Sequence, residues 1–219
     1  MHEIHVGEDL RGKNEEIAKE NREMLEGNNV FAINIMSAPG AGKTSLLVRT
    51  LPELSKKYRV GVVEGDLQTS RDAERIAELG IKVYQIETGG VCHLDASMVH
   101  SALHQLDLSS LDILFFENVG NLVCPAEFDL GEDKRVMLLS ITEGDDKPKK
   151  YPLMFIESEL LILNKMDLLE FVDFDVDKAI ADARDLNPSL SVIKLSCKTG
   201  EGLDEWIKWI EESLKKKKE

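Results

Sequence analysis

Between residues 34 and 47 the chain reads NIMSAPGAGKTSLL, a run whose spacing suits the capture of a polyphosphate. It follows the phosphate-loop pattern G-x-x-x-x-G-K-S/T except at the first place, where Ser37 stands for glycine. Gly40 and Gly42 let successive backbone N–H groups turn toward phosphate oxygens, and the N-terminus of the next helix adds its dipole. The candidate phosphate-holding residues are Pro39, Gly40, Ala41, Gly42, Lys43, Thr44 and Ser45, with Lys43 reaching the outer phosphates and Thr44 ligating magnesium (Mg2+). The first position only ends a strand and opens a turn, which serine does at negative φ.

Two later runs select the base. In NKMD, Asp167 can accept two hydrogen bonds from the ring N–H and exocyclic amine of guanine, a donor pair that adenine lacks. Asn164 would brace the loop and the alkyl part of Lys165 would cover the base. In SCKTGEG, the Ser196–Cys197–Lys198 loop can offer a backbone amide to guanine O6, while the Cys197 side chain itself reads as packing. Two base motifs in this order, downstream of a phosphate loop, assign GTP rather than ATP.

Between the loop and the base motifs lie two acidic strand ends. Asp66 follows GVVEG, and Glu117 follows ILFF, where aspartate is more usual; Gly120 comes three residues later. An acid at a strand end suits magnesium, and the Gly120 amide is positioned to sense a γ-phosphate. Lys43, Asp66 and Glu117 are the candidate catalytic groups; Thr44, Asp66 and Glu117 are the candidate magnesium ligands. No glutamine stands out to orient water, and Arg71 and Arg75 read as solvated helix residues, so unaided hydrolysis should be slow.

Cys92 and His93 in GGVCHLDA, with Cys124 in GNLVCPAE, supply thiolate and imidazole, the donors that zinc (Zn2+) and nickel (Ni2+) favour. Each cysteine also suits an ordinary buried position, and the residues alone leave both readings open. Three ligands per chain would leave a tetrahedral ion incomplete, to be finished by water or by a second subunit.

These runs need elements to hold them. Seven short apolar segments (30–36, 59–65, 82–87, 112–118, 135–142, 159–164 and 191–196) alternate with helical patterns. That alternation predicts an α/β fold, a doubly wound, mainly parallel sheet with flanking helices, and every motif falls at a strand's carboxyl end. Residues 1–28 read as a charged, helical N-terminal segment, with a surface or partner-facing helix over Glu15–Leu25, and 29–219 as the nucleotide-binding domain. The chain has 219 residues and 42% hydrophobic content, so it can bury a sizeable core. A net charge of −14 opposes nonspecific nucleic-acid binding, and no apolar run is long enough to cross a membrane. A polar start and three cysteines without framework spacing point to reduced thiols and a cytoplasmic location.

SAPGAGKT, TGGVCHLDA, ENVGNLVCPAEFDLGE, TEGDDKPKKYP, NKMDLL and NPSLSVIKLSCKTGEGL together resemble the HypB family across about residues 15–214. Members of that family are GTPases that assist nickel incorporation into nickel–iron hydrogenase, in the dimer-forming class that includes the urease and cobalamin accessory proteins. The resemblance implies a zinc or nickel site of Cys92, His93 and Cys124 at a GTP-dependent homodimer interface. It also implies a nickel-carrying, HypA-like accessory partner and the hydrogenase large-subunit precursor as recipient. Serine at position 37 is usual there. Outside these motifs, His93, His100 and His104 share one helical face, expected to be partly exposed or at an interface. His2 and His5 near the start are possible nickel donors but fit a disordered tail better. Lys147, Lys149 and Lys150 suit a solvated loop.

Overall fold

The computed structural model describes residues 6–66 and 71–218, with side chains described over 11–65 and 72–218. His2 and His5 lie outside the described residues. Seven parallel strands form one sheet in the order β3-β2-β4-β1-β5-β6-β7, where β1 is Phe31–Ser37, β2 Val60–Asp66, β3 Lys82–Glu87, β4 Ile113–Glu117, β5 Lys134–Ser140, β6 Leu160–Asn164 and β7 Ser191–Lys194. This is the doubly wound sheet read from the sequence. The helices are α1 (Val6–Gly27), α2 (Lys43–Leu54), α3 (Arg71–Ala77), α4 (Ala96–Leu103), α5 (Lys147–Lys150), α6 (Pro152–Ile156), α7 (Val176–Leu186) and α8 (Leu203–Lys218). Among the described residues no helix is long and apolar enough to cross a membrane.

The central strands β1, β4 and β6 are buried at every residue, as expected of strands covered on both faces. Alternation along β1 divides the core. Phe31, Ile33 and Ile35 meet Leu46, Leu47 and Leu51 of α2 and Trp206 and Ile210 of α8. Ala32 and Met36 face the other side, toward α1 and α4 at one end and α6 and α7 at the other. Each fully buried leucine or phenylalanine contributes about 1.5–3 kcal/mol over leaving it in water. The parallel register sets Ile35 beside Glu117 and Ser140 beside Asn164, so the carboxyl ends of four strands reach one edge together.

The first helix begins earlier than expected and is docked rather than free. Its buried stripe is Asn14, Ala18, Asn21 and Leu25, packed on α4 and the segment before β5. Asn21 donates to the carbonyls of Ala96 at 2.9 Å and Leu130 at 3.0 Å, and Asn14 Nδ2 donates to that of Asp129 at 2.8 Å. Two of four stripe positions are amides, so an apolar count cannot reveal the docked face. Gly131, at φ 93°, lies so close that an added Cβ would sit 2.6 Å from the Ala18 carbonyl oxygen.

Candidate nucleotide and metal site

The phosphate loop bridges β1 and α2. Gly40 at φ 75° and Gly42 at φ 109° hold conformations that side chains resist, and Ser37 is not among the described residues at positive φ. Gly42 is doubly constrained, because a Cβ there would lie 2.5 Å from Asn164 Nδ2. Lys43 folds back over the loop and donates to Ser37 Oγ at 3.1 Å. Burial lowers its pKa, an effect that Glu117 and other nearby acids partly oppose. A desolvated ammonium at the N-terminus of α2 is a strong demand for an anion.

Thr44 donates to Glu117 Oε1 at 2.7 Å, and the other Glu117 oxygen is buried with no hydrogen-bond partner. Burial pushes the Glu117 carboxyl above its ordinary range. An orphaned carboxylate oxygen next to a threonine hydroxyl is a hard-donor set that fits magnesium. The backbone of Asp66 closes β2 opposite Glu87; its side chain lies outside the described residues.

At the other end of the loop, Asn164 Nδ2 donates to the Ala41 carbonyl at 2.8 Å, while Asn164 Oδ1 accepts from the Lys165 amide at 2.7 Å and the Cys197 amide at 3.3 Å. Lys165 adopts φ 65° and its ammonium reaches the Gly40 carbonyl at 2.8 Å. Ser196 Oγ donates to Asp167 Oδ1 at 2.5 Å, which leaves the second oxygen of that carboxylate toward Lys198, at 3.9 Å. Gly42, Ser45, Asn164, Lys165, Asp167, Leu168, Cys197 and Lys198 line a 340 Å³ cavity beside the phosphate loop. The Cys197 thiol, pushed by burial to about 11, packs against the core and is inert.

The sulfur cluster lies past β3 and β4. Cys92 and Cys124 bring their Sγ atoms within 3.2 Å, His93 Nδ1 is 4.0 Å from Cys92 Sγ, and one donor atom from each lies within 4.8 Å of the others. His93 stacks on Phe128 with ring centroids 4.1 Å apart, and burial lowers its pKa, favouring the neutral imidazole that binds metal. The hydrogen bond shared with Cys92, with burial behind it, raises the Cys124 pKa. A cation at this point would reverse that balance and hold thiolates. Val91 and Val123, each beside a cysteine, are 38% and 51% exposed, so the cluster sits at an apolar surface.

Three connections that motif reading missed tie these parts together. Gly120 lies against Pro39, since a Cβ on Gly120 would be 2.8 Å from Pro39 Cα. The Asn121 amide donates to the Ser37 carbonyl at 2.8 Å. Asn118, fully buried, accepts at one Oδ1 from the amides of Leu94 at 3.0 Å and Val119 at 2.9 Å, joining the residue after His93 to the residue before Gly120. The signal for Asn118 was an asparagine directly following a buried strand. Arg49 was also missed; it braces the base loop by donating to the carbonyls of Cys197 and Lys198 at 2.9 and 3.0 Å. Lys147 donates to the Glu143 carbonyl, and Lys149 and Lys150 pair with Asp182 and Asp146, so all three are engaged within the chain.

Residues 31–194 match the model of the CobW/HypB/UreG nucleotide-binding domain. The hydrogenase maturation factor HypB of Azotobacter vinelandii is 52% identical over 208 residues, covering 95% of this chain and 69% of that protein. The chain belongs to the HypB family of hydrogenase maturation factors. A probable HypB of Methanocaldococcus jannaschii is 42% identical and is matched over 97% of its length by 98% of this chain. A crystal structure of Helicobacter pylori HypB in complex with nickel superposes with a TM-score of 0.89 at 38% identity, covering 93% of this chain and 96% of that one. The HypB assignment makes the loop from Ser37 to Thr44 part of a nucleotide-binding domain. It also sets the Cys92–His93–Cys124 cluster within a chain similar to a nickel-bound protein.

Proposed function

We propose that this chain is a GTP-hydrolysing metallochaperone that couples GTP-dependent homodimerisation to binding and delivery of nickel, or zinc, during nickel–iron hydrogenase maturation. One observation carries the reading: the strap from Glu117 to Cys124 touches both chemistries. Glu117 bonds Thr44, Gly120 presses on Pro39, and Cys124 meets Cys92, all within eight consecutive residues. A γ-phosphate that draws the Gly120 amide inward shifts a thiolate ligand a few residues away.

Guanine selection rests on Asp167, with Asn164 and the Ser196–Cys197–Lys198 turn closing the pocket around the base and Lys165 covering it. Pro39, Gly40, Ala41, Gly42 and Ser45 surround the phosphates, while Lys43 neutralises developing charge. Thr44, Asp66 and Glu117 would hold Mg2+, which would supply neutralisation of phosphate charge. No side chain among the described residues stands out to orient the attacking water, in keeping with slow turnover. Three donors per chain at an apolar surface flanked by Val91 and Val123 suit a site finished across a two-fold axis. Nickel is cargo here: it arrives from a HypA-like carrier and leaves toward the large-subunit precursor.

Phosphate release with GTP and with ATP, each with and without nickel, together with mass measured by light scattering, tests the proposal. Slow, GTP-selective release and a dimer only with a GTP analogue are expected. Equal use of ATP, or a monomer in both nucleotide states, would contradict it.

A further inference from the structure

Helix α4 and its C-cap carry two histidines that the cysteine cluster does not use. His100 and His104 stand one turn apart, with their Nε2 atoms 3.0 Å from each other and their rings edge-to-face at 79°. The sequence grouped three histidines on one helical face, but His93 lies before the N-cap Asp95, off the helix and beside the sulfur atoms, and only the other two meet one another.

The hydrogen bonds fix which way His100 presents its lone pair. Asn21 is fully buried and its amide nitrogen donates to two carbonyls, Ala96 and Leu130, so its Oδ1 is the acceptor. That oxygen lies 2.8 Å from His100 Nδ1, which must therefore carry the proton. In neutral His100 this leaves Nε2 bare and aimed at His104. A histidine with one ring nitrogen donating to a fixed oxygen and the other exposed as a lone pair is the arrangement found behind metal-ligating imidazoles.

The spacing agrees. With metal–nitrogen bonds of about 2.0–2.1 Å, nitrogen atoms 3.0 Å apart subtend an angle of roughly 94° at the ion. That is a cis angle of an octahedral or square-planar centre, the geometries open to nickel with nitrogen and oxygen donors, and zinc accepts it after a small opening. A helix brings side chains at i and i+4 onto one face, and a turn of the two rings out of their mutual hydrogen bond aims both lone pairs at one ion. On binding, the His104 Nε2 proton moves to its other ring nitrogen through water, and water fills the remaining positions.

We propose that His100 and His104 form a second divalent-metal site, a two-histidine holding site for nickel or zinc on the surface of α4. It goes beyond the thiolate site, since neither cysteine nor nucleotide takes part. It lies seven residues past His93, on the helix that follows the cysteine–histidine loop, so it can hold an ion on the same stretch of chain that carries two of the thiolate-site donors. Asn21 also bonds the carbonyls of Ala96, three residues past His93, and Leu130, six residues past Cys124.

The test uses the full chain with Cys92→Ser and Cys124→Ser, titrated with nickel chloride alone by equilibrium dialysis, against the same chain carrying His104→Ala. His2 and His5 are present in both, so their contribution cancels. The expected result is one ion per chain in the first protein and an affinity at least ~10-fold weaker in the second, the scale on which metal-site contacts matter. In the first protein, nickel should also broaden the His100 and His104 ring-proton resonances. His104→Gln serves as a second variant if alanine disturbs the helix, checked by an unchanged metal-free melting temperature. Identical titrations with and without His104, or broadening confined to His2 and His5, would overturn the proposal while leaving the thiolate site untouched.

Discussion

Replacing Gly120 by alanine probes the contact on which the coupling depends. The new Cβ would fall 2.8 Å from Pro39 Cα, 2.9 Å from Pro39 N and 3.1 Å from Pro39 Cγ. Carbon atoms rest at about 3.5–4.0 Å, so the strap must withdraw from the phosphate loop by about 0.7 Å or more. Two of the three clashes are with backbone, which cannot swing away. Overpacking of this kind costs about 1–3 kcal/mol, or about 2–4 °C of melting temperature for each kcal/mol in a domain of this size. The larger consequence is selective. A Gly120 amide held back from a γ-phosphate forfeits a hydrogen bond to a charged group, about 1.5–3 kcal/mol, which is roughly 10- to 150-fold in affinity. GDP never makes that bond. Competition binding with GDP and a non-hydrolysable GTP analogue should show the analogue weakened on this scale and GDP within about threefold of wild type, the residue of a small loop shift. An unchanged preference between the two nucleotides in a folded Gly120→Ala protein would refute the reasoning.

Asn118→Ala strands the buried amides of Leu94 and Val119 and should cost about 2–5 kcal/mol by urea denaturation, with Asn118→Asp recovering part of it because both acceptor bonds survive. Asp167→Asn removes the carboxylate proposed as the twofold acceptor for guanine; GTP affinity should fall by about 10²–10⁴ with no gain for ATP in the same competition assay. Glu117→Gln should separate stability from function. Burial raises the native Glu117 pKa above 4.5, so the folded state keeps a proton that the unfolded chain has lost, and stability drains away as pH rises from 4.5 through the folded value. The glutamine variant should lose that component of the pH slope and melt higher at neutral pH without ligand, while magnesium no longer strengthens its nucleotide binding. Asp112 offers a check with the opposite sign: the Arg59 guanidinium holds its carboxyl down to about 2. The stability lost in Asp112→Asn should be present above pH 4 and fade as pH falls toward 2.

The sheet was legible because β1, β4, β5 and β6 are buried on both faces and so appear as unbroken apolar runs, with glycines and charges marking the turns between. The edge strands β3 and β7 were legible only through that rhythm, since their residues are half-exposed. The nucleotide-binding domain was readable because its loops carry particular residue types at fixed spacing after the strands. What stayed hidden was polar and long-range. Asn21 bonds residues 75 and 109 positions away, and Asn118 reaches back 24 to Leu94. Such amides look like surface residues until the fold brings carbonyls to them. Ser37 was readable as a tolerable substitute for glycine, but not as the hydroxyl that receives Lys43. The distance between Cys92 and Cys124, separated by 32 residues and two strand ends, likewise had to wait for the sheet order.

The coupling itself is tested by titrating nickel or zinc into the protein bound to GDP and to a non-hydrolysable GTP analogue, with dimerisation in the analogue state confirmed by light scattering. The account predicts affinities at the Cys92–His93–Cys124 site that differ between the two states by at least fivefold, the low end of ordinary coupling free energies. Equal affinities in both states, in a protein that does dimerise, would contradict it.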